Sequence, residues 1–335
     1  TGQAGGSVQL ISTICEEQLG DQSIALTLLG GLGDIDSAEP SYVLWELGRM
    51  VANDDALTAI FQTGLLDLEL RLRESDSAQA FVKDFDDFLD TYGSRGANEW
   101  ETACETWGTS PSSVLTLIDR MRIADPRNSP TVRTQKILEK REIALLDARE
   151  NLKGFGSWLF EKALHSSMLF SQARERSKTT IIDLIHVARL ITRELANRTA
   201  RQRDGAELID LWFILENELD DFINNPRTFN EKITERKRVR QELSNRVPPF
   251  IFEGEIPHPN LWPLRSESNI KPKSTVRNGE TLKGFGGCPG IAEGIAKVIT
   301  DPAEPRNLGP GDILIAPLTD PSWNPLFVPA EAAVV

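Results

Sequence analysis

The pattern of apolar residues divides this chain into two parts, and the change falls near residue 246. Before that point apolar residues recur at intervals of three and four, as on one face of a helix. The clearest stripes are Ile181, Leu184, Ile185, Ala188, Ile191 and Leu195, and then Leu208, Leu211, Trp212, Leu215, Leu219 and Phe222. Beyond it, prolines at positions 248, 249, 257, 259 and 263 exclude a helix. We therefore predict a helical domain over 1–245, a proline-rich linker over 246–280 and a second domain over 281–335.

Two local signals refine the helical part. Pro111 is typical of a helix start, and Asn225 followed by Pro226 is typical of a helix end. Residues 66–72 place leucine at every second position, as a strand would. Because helical patterns surround this segment, we predict that it is a helix.

Short strand signals follow the linker. Residues 295–299 are mostly apolar, residues 312–316 indicate a buried strand, and 332–335 look like the start of another. The chain ends inside this last apolar run, so we expect the carboxyl-terminal domain to be incomplete.

Charge, hydropathy and cysteine usage disfavour several classes of protein. The chain has 50 acidic and 37 basic residues, giving a formal net charge of −13, which disfavours binding to nucleic acid. No run approaches the roughly 18 apolar residues that a membrane span requires. The cysteines form no CxxC pair, which fits a reducing cytoplasm, and the histidines stand at no metal-ligand spacing. The chain starts at Thr1 without a signal peptide, so we expect it to begin inside a longer protein.

Three blocks near the carboxyl end resemble the phosphohistidine swivelling domain of the phosphoenolpyruvate-utilising dikinase superfamily. They are Gly287-Cys288-Pro289-Gly290-Ile291-Ala292-Glu293-Gly294, Gly311-Asp312-Ile313-Leu314-Ile315, and Thr319-Asp320-Pro321-Ser322-Trp323 with Pro325-Leu326. The resemblance implies an incomplete α/β domain of the β/β/α type, whose phosphorylated histidine would follow Val335. None of the histidines of this chain stands in that context, so we expect residues 1–335 to be inactive alone.

Blocks in the helical part resemble the long substrate-binding domain of rifampin-phosphotransferase-like enzymes. They are Tyr92-Gly93-Ser94-Arg95-Gly96 with Glu99 and Trp107, Arg174-Glu175-Arg176-Ser177-Lys178, Asp210-Leu211-Trp212-Phe213-Ile214-Leu215 with Glu218-Leu219, and Val247-Pro248-Pro249-Phe250. Ser94 departs from the pattern, since many members carry histidine there. The resemblance implies a mainly α-helical acceptor-binding domain, preceded in the same polypeptide by an ATP-grasp domain that would bind ATP and magnesium. No cofactor is then expected in this chain itself.

Arg174 and Lys178 stand four residues apart, so on a helix they share one face. The resemblance implies that they clamp the incoming phosphoryl group, where fixed positive charge stabilises a transferring phosphate. It also implies that Glu175 orients them or the acceptor hydroxyl. The alternative is a solvated helix face on which Glu175 pairs with Lys178.

Three further residues are candidates for the site. Arg95 and Glu99 are also four apart, and form either a structural ion pair or a contact to the substrate. Asp210 precedes an apolar run, and acts either as a cap or buttress or as a base. Aromatic side chains either line an apolar acceptor pocket or belong to the core. These aromatic residues are Phe155, Trp158, Phe160, Phe170, Trp212 and Phe213.

Together these patterns predict part of a cytoplasmic, ATP-dependent phosphotransferase. The intact kinase would move a phosphoryl group through phosphohistidine to a hydroxyl of an antibiotic-like small molecule. One alternative is a synthase or ligase relative that uses phosphoryl transfer to activate a substrate for condensation. Another is a ligand-binding protein that has lost phosphotransfer.

Overall fold

The computed structural model describes residues 2–31, 38–249, 251–265, 279–284, 286–287, 290–300, 302, 308–319 and 323–335. Contacts divide the chain into two compact units, one formed by Thr1–Val187 with Gly286–Val335 and the other by Ala188–Phe285. The boundaries of these two units differ from those of the three predicted domains, 1–245, 246–280 and 281–335. The division into three domains stays a prediction.

Helices make up most of the chain. They are α1 (Gly2–Leu19), α2 (Ser23–Leu29), α3 (Glu39–Asn53), α4 (Asp55–Gln62), α5 (Leu68–Glu74), α6 (Gln79–Tyr92), α7 (Pro111–Ile123), α8 (Pro130–Asn151), α9 (Gly154–Ala200), α10 (Leu219–Asn224) and α11 (Asn230–Ser244). Short 3₁₀ helices lie at Asp76–Ala78, Pro126–Asn128, Leu208–Phe213, Glu216–Glu218, Pro226–Phe229 and Pro259–Leu261. The carboxyl-terminal part contains β1 (Ile295–Val298), β2 (Asp312–Ile315), α12 (Asn324–Phe327) and β3 (Ala332–Val334). This order confirms the predicted fold class, a mainly α-helical domain followed by a small α/β segment. Within the described ranges, no helix combines the length and the apolar character needed to cross a membrane.

The helix boundaries follow local sequence signals. Pro111 occupies the first position of α7, where its missing N–H costs no hydrogen bond. Ser129 caps α8, and its Oγ accepts a hydrogen bond from the Val132 N–H at 3.1 Å. The predicted end before Pro226 is confirmed, since α10 stops at Asn224.

Three of the four alternating leucines, Leu68, Leu70 and Leu72, lie on helix α5 as predicted, and Leu66 lies in the turn before it. Leu68 and Leu72 are one turn apart on α5 and are buried, whereas Leu66 and Leu70 are exposed. The alternating pattern therefore contains a buried pair at helical spacing.

The prediction of a helix over residues 208–222 is wrong, because the structure breaks this stretch into two 3₁₀ helices before α10. Asp210 Oδ2 accepts from the Glu207 N–H at 3.2 Å, and Glu218 Oε2 accepts from the Leu215 N–H at 3.1 Å. Side chains that satisfy backbone donors locally compete with a continuous helix. Apolar spacing alone could not reveal these two breaks.

The first unit contains two hydrophobic cores. Helices α3 and α7 approach so closely that a Cβ on Gly48 would lie 2.5 Å from Met121 Cβ. The larger core joins these helices to the carboxyl-terminal strands, and includes Leu44, Phe61, Phe85, Ile118, Leu314 and Leu326. The smaller core joins α1, α2, α8 and the first part of α9, and includes Ile11, Leu28, Leu145, Phe160 and Leu164.

The three predicted carboxyl-terminal strands are present and pair into one sheet. β2 lies between β1 and β3 and pairs with both in parallel, with Ala296 opposite Ile313 and Leu314 opposite Ala333. Arg133 of α8 donates from Nη2 to the Ala330 carbonyl at 2.9 Å, and so ties the sheet segment to the helices of its unit. Residues 288, 289 and 320–322 of the family blocks lie outside the described residues.

The second unit has its own small core and a folded loop. Its core includes Ala196, Leu211, Phe222, Phe229 and Ile233. The described part of the predicted linker is free of α-helix, as its prolines predict, but it folds back on itself. Val247 N donates to the Pro263 carbonyl at 2.9 Å, and Arg265 N donates to the Asn245 carbonyl at 2.7 Å. Residues 250 and 266–278 lie outside the described part.

Candidate functional site

The segment from Gly93 to Gly108 forms a tight loop after α6. Trp107 N donates to the Arg95 carbonyl at 2.7 Å, and Gly108 N donates to the Gly93 carbonyl at 2.9 Å. A Cβ on Gly93 would lie 2.2 Å from the Leu89 carbonyl oxygen and 3.0 Å from Gly108 Cα. The two strands of the loop can approach this closely only because glycine stands at position 93.

This loop carries a buried ion pair between two of the predicted residues. Arg95 Nη1 donates to Glu99 Oε1 at 3.2 Å, and the two side chains are 5% and 3% exposed. The structure thus shows the ion pair that sequence spacing predicts. The ion pair is one of the two predicted roles of these residues, and at this level of burial neither side chain lies open to solvent.

Helix α9 meets the loop through three side chains. Lys178 Nζ lies 3.3 Å from Glu99 Oε1, and Arg95 Nη2 donates to Thr179 Oγ1 at 2.9 Å. Further along α9, His186 Nδ1 lies 3.3 Å from Thr106 Oγ1. The structure therefore brings together Arg95, Glu99 and Lys178, which are far apart in the sequence.

Arg174 and Glu175 lie one turn before Lys178. Arg174 is exposed, and its Nη2 donates to Glu175 Oε1 at 2.7 Å. The alternative in which Glu175 pairs with Lys178 is not what the structure shows, because Glu175 binds Arg174 and Lys178 binds Glu99. Arg174 and Lys178 occupy adjacent turns of one helix face, as predicted.

Sequence reasoning missed Thr179, Thr106 and the contact of His186. Thr179 carries no motif of its own, and its contact with Arg95 spans 84 positions. His186 does carry a signal, because it stands eight residues after Lys178 and so falls on the same face of α9.

Asp210 lies in the second unit and is buried there. Its carboxylate binds Arg203 Nη1 at 3.0 Å and also contacts Lys237 Nζ. It accepts a backbone hydrogen bond from Glu207, completing a capping box. These contacts are those of a cap and buttress, one of the two predicted roles.

The aromatic residues do not share one environment. Phe160 is buried in the smaller core of the first unit, whereas the rings of Phe155 and Trp158 are exposed and stack at 5.5 Å. Trp212 and Phe213 pack against the core of the second unit.

A cavity of about 250 Å³ lies beside the loop, lined by Asn98, Thr106, Trp107, Ser113 and Leu117 among others. This volume is below the range of roughly 300–1,000 Å³ that drug-sized ligands occupy. Over the described ranges, no group of three or more His, Cys, Asp or Glu side chains could hold a metal ion.

A mainly helical domain followed by a small parallel α/β segment is the architecture that the resemblance to phosphotransferases of the phosphoenolpyruvate-utilising superfamily implies. The family model described as rifampicin phosphotransferase fourth domain matches residues 2–175, more than half of the chain. The chain belongs to this family. The matched range includes Arg95, Glu99 and Arg174, and it ends three residues before Lys178.

Curated relatives agree with this assignment. An uncharacterized phosphotransferase, YvkC of Bacillus subtilis, is 24% identical over 306 residues, or 89% of this chain. A rifampicin phosphotransferase of a Streptomyces species is 24% identical over 324 residues, or 93% of the chain. The prodigiosin synthesizing transferase PigC of Serratia marcescens is 25% identical over 337 residues, or 97%. The chain spans 36% of the length of each of these relatives.

Proposed function

We propose that this chain is the acceptor-binding part, with the start of a swivelling phosphohistidine domain, of an ATP-dependent phosphotransferase. The observation that carries the proposal is the pair Arg174 and Lys178 on adjacent turns of α9, with Lys178 anchored at Glu99. The family membership and the phosphotransferase relatives support it.

The pair suits phosphoryl transfer from histidine to a hydroxyl. In that step the P–N bond breaks and a P–O bond forms, and the proton that the hydroxyl loses ends on the ring nitrogen of the histidine that leaves. Arg174 and Lys178 would stabilise the negative charge on the transferring phosphoryl oxygens. Glu175 holds the Arg174 guanidinium and so orients it. ATP and magnesium would be bound by an ATP-grasp domain of the same polypeptide, and the phosphorylated histidine would follow Val335.

The surface next to the pair suits an apolar acceptor. Ile181 follows Lys178 by three residues, and Leu184 follows Ile181 by three, so that both lie on adjacent turns of α9. Both side chains are exposed. Exposed apolar side chains beside fixed cations would bind a bulky molecule and present one of its hydroxyls to the phosphoryl group.

A second candidate function is phosphoryl activation of a substrate for condensation. The similarity to PigC, which extends over 97% of this chain, favours it. The two functions differ in their product, a stable phosphate ester against a condensed molecule.

The test uses the full-length protein with ATP, magnesium and a panel of hydroxylated apolar compounds that starts with rifampicin, and identifies products by mass spectrometry. We expect an acceptor whose mass increases by one phosphoryl group. Arg174→Ala should lower the rate about 10²–10³-fold, as loss of a transition-state donor does. Arg176→Ala, an exposed arginine on the same helix, is the matched control and should leave the rate unchanged. A full-length protein that binds acceptors but neither forms phosphohistidine nor transfers phosphate would instead be a ligand-binding protein.

A further inference from the structure

We propose that Glu99, held by Arg95, is a positioning residue that fixes the Lys178 ammonium for phosphate. This inference rests on the proposed function, because it assigns the role of two buried residues at the same site. Neither residue reaches the substrate, so each would act only through Lys178.

The buried ion pair and Lys178 differ in how far their side chains are exposed to solvent. Glu99 and Arg95 are 3% and 5% exposed, whereas the Lys178 side chain is 23% exposed. An anion arriving from solvent can therefore meet Lys178, and it meets neither member of the ion pair. The carboxylate lies behind the lysine, where it can set the position of Nζ.

A lysine needs such a partner more than an arginine does. Its ammonium is a point charge on a flexible four-carbon stem, whereas the guanidinium of Arg174 is planar and is already held by Glu175. A single contact, 3.3 Å from Nζ to Glu99 Oε1, restricts that stem. Charge that is already in place costs no reorganisation when the phosphoryl group arrives.

Arg95 completes the arrangement. Its Nη1 binds the same oxygen, Glu99 Oε1, and its Nη2 binds Thr179, the residue that follows Lys178. Its carbonyl is fixed by the Trp107 N–H at 2.7 Å. The loop therefore contacts two consecutive residues of α9, Lys178 and Thr179. The positive charge of Arg95 offsets the negative charge of Glu99, so that Lys178 still attracts an anion.

The experiment needs no knowledge of the acceptor. An amine-reactive reagent labels the full-length protein, with and without inorganic phosphate, and mass spectrometry reads the labelling rate of Lys178. Lys83, an exposed lysine paired with Asp87, is the internal reference. In the unaltered protein, phosphate should slow labelling at Lys178 and leave Lys83 unaffected.

The Glu99→Gln variant then distinguishes two roles of Glu99, because they change the protection of Lys178 by phosphate in opposite directions. If Glu99 merely neutralises Lys178, its removal strengthens protection by phosphate. If Glu99 positions Lys178, about tenfold more phosphate should be needed for the same protection, since small displacements of a positioned group are costly. Glu101→Gln removes an exposed negative charge two residues away, keeps a side-chain oxygen that can accept from the Ala103 N–H, and should leave the protection unchanged.

The possible results distinguish failure of the positioning role from failure of the proposed function. Equal or stronger protection in Glu99→Gln overturns the positioning role and leaves the proposed function standing. Failure of phosphate to protect Lys178 in the unaltered protein contradicts the proposed function, and the positioning role with it. Should Glu99→Gln fail to fold, Glu99→Asp keeps the negative charge in the buried site but draws the carboxylate back by one methylene from Lys178 Nζ, and the same weakening is expected.

Discussion

Glu99 and Asp210 are similar carboxylates in two different units of the molecule. Both are buried, and each binds one buried arginine and one half-buried lysine. Their surroundings differ. Lys237, the lysine at Asp210, also binds Glu207 at 2.7 Å, so two cations there meet two carboxylates. Among the described residues, the carboxylate that Lys178 contacts is Glu99 alone, and the Arg174–Glu175 pair lies one turn before Lys178 on α9.

The comparison of the two sites shows that a buried ion pair alone does not identify a functional site. A carboxylate between an arginine and a lysine indicates no function by itself, since the second unit uses it to cap and buttress a turn. What suits the first site to an anion is that Arg174 and Lys178 both reach solvent on adjacent turns of α9. Variants at the two sites should therefore differ in stability and in activity.

The largest effect on stability should come from removing either carboxylate. Glu99→Ala and Asp210→Ala each take the carboxylate partner from a buried arginine, and each should lower the free energy of unfolding by about 3–5 kcal/mol. Glu207→Ala removes an exposed carboxylate and should cost no more than about 1 kcal/mol. Urea unfolding measures all three. A cost below that of Glu207→Ala at either buried position would show that the ion pair there is not structural.

The loop around the first site should be more sensitive to backbone crowding than an ordinary helix is. Gly93→Ala places a Cβ against backbone atoms and should cost about 1–3 kcal/mol. Gly5→Ala, in α1 with open space around it, should stabilise by about 0.5–1 kcal/mol. Thermal unfolding of the pair tests the contrast, which fails if both variants shift in the same direction.

The two lysines should separate stability from function. Lys237→Met removes contacts to both Asp210 and Glu207 and should lower the free energy of unfolding by about 1–2 kcal/mol. Lys178→Met removes one contact and should cost less, because Arg95 still binds Glu99. Chemical denaturation measures both, and a larger cost at Lys178 would make that lysine chiefly structural.

The smallest expected effect is on the stability of the protein at acidic pH. Hydrogen bonds from Arg236, then Lys232 and the Leu215 N–H, hold the pKa of Glu218 well below its ordinary value. The stability that this carboxylate contributes is therefore complete above the unfolded pKa of about 4.3, and it is lost as pH falls below that value. Glu218→Gln should flatten this acid dependence of the denaturation midpoint, whereas Glu216→Gln, its exposed neighbour, should not. An unchanged slope in Glu218→Gln would contradict the assignment.

The sequence could predict what depends on local spacing. The helical region, the helix start at Pro111, the strand around Leu314 and, as one of two alternatives, the Arg95–Glu99 ion pair follow from residues close together in the chain, whereas the parallel pairing of the strands does not. The contact between Lys178 and Glu99 joins residues 79 positions apart, and no periodicity encodes it. The two breaks before α10 depend on side chains that satisfy backbone donors, which apolar spacing does not record.

The most direct test of the central claim compares Lys178→Met and Lys237→Met in one phosphotransfer assay with the full-length protein. Both variants remove a lysine from a buried carboxylate, but Lys178 lies one turn from the exposed Arg174, whereas Lys237 is paired with Asp210 and Glu207. We expect Lys178→Met to lose about 10²–10³-fold in rate and Lys237→Met to retain the rate of the unaltered protein. Equal rates in the two variants would contradict the assignment of the α9 site to phosphoryl transfer.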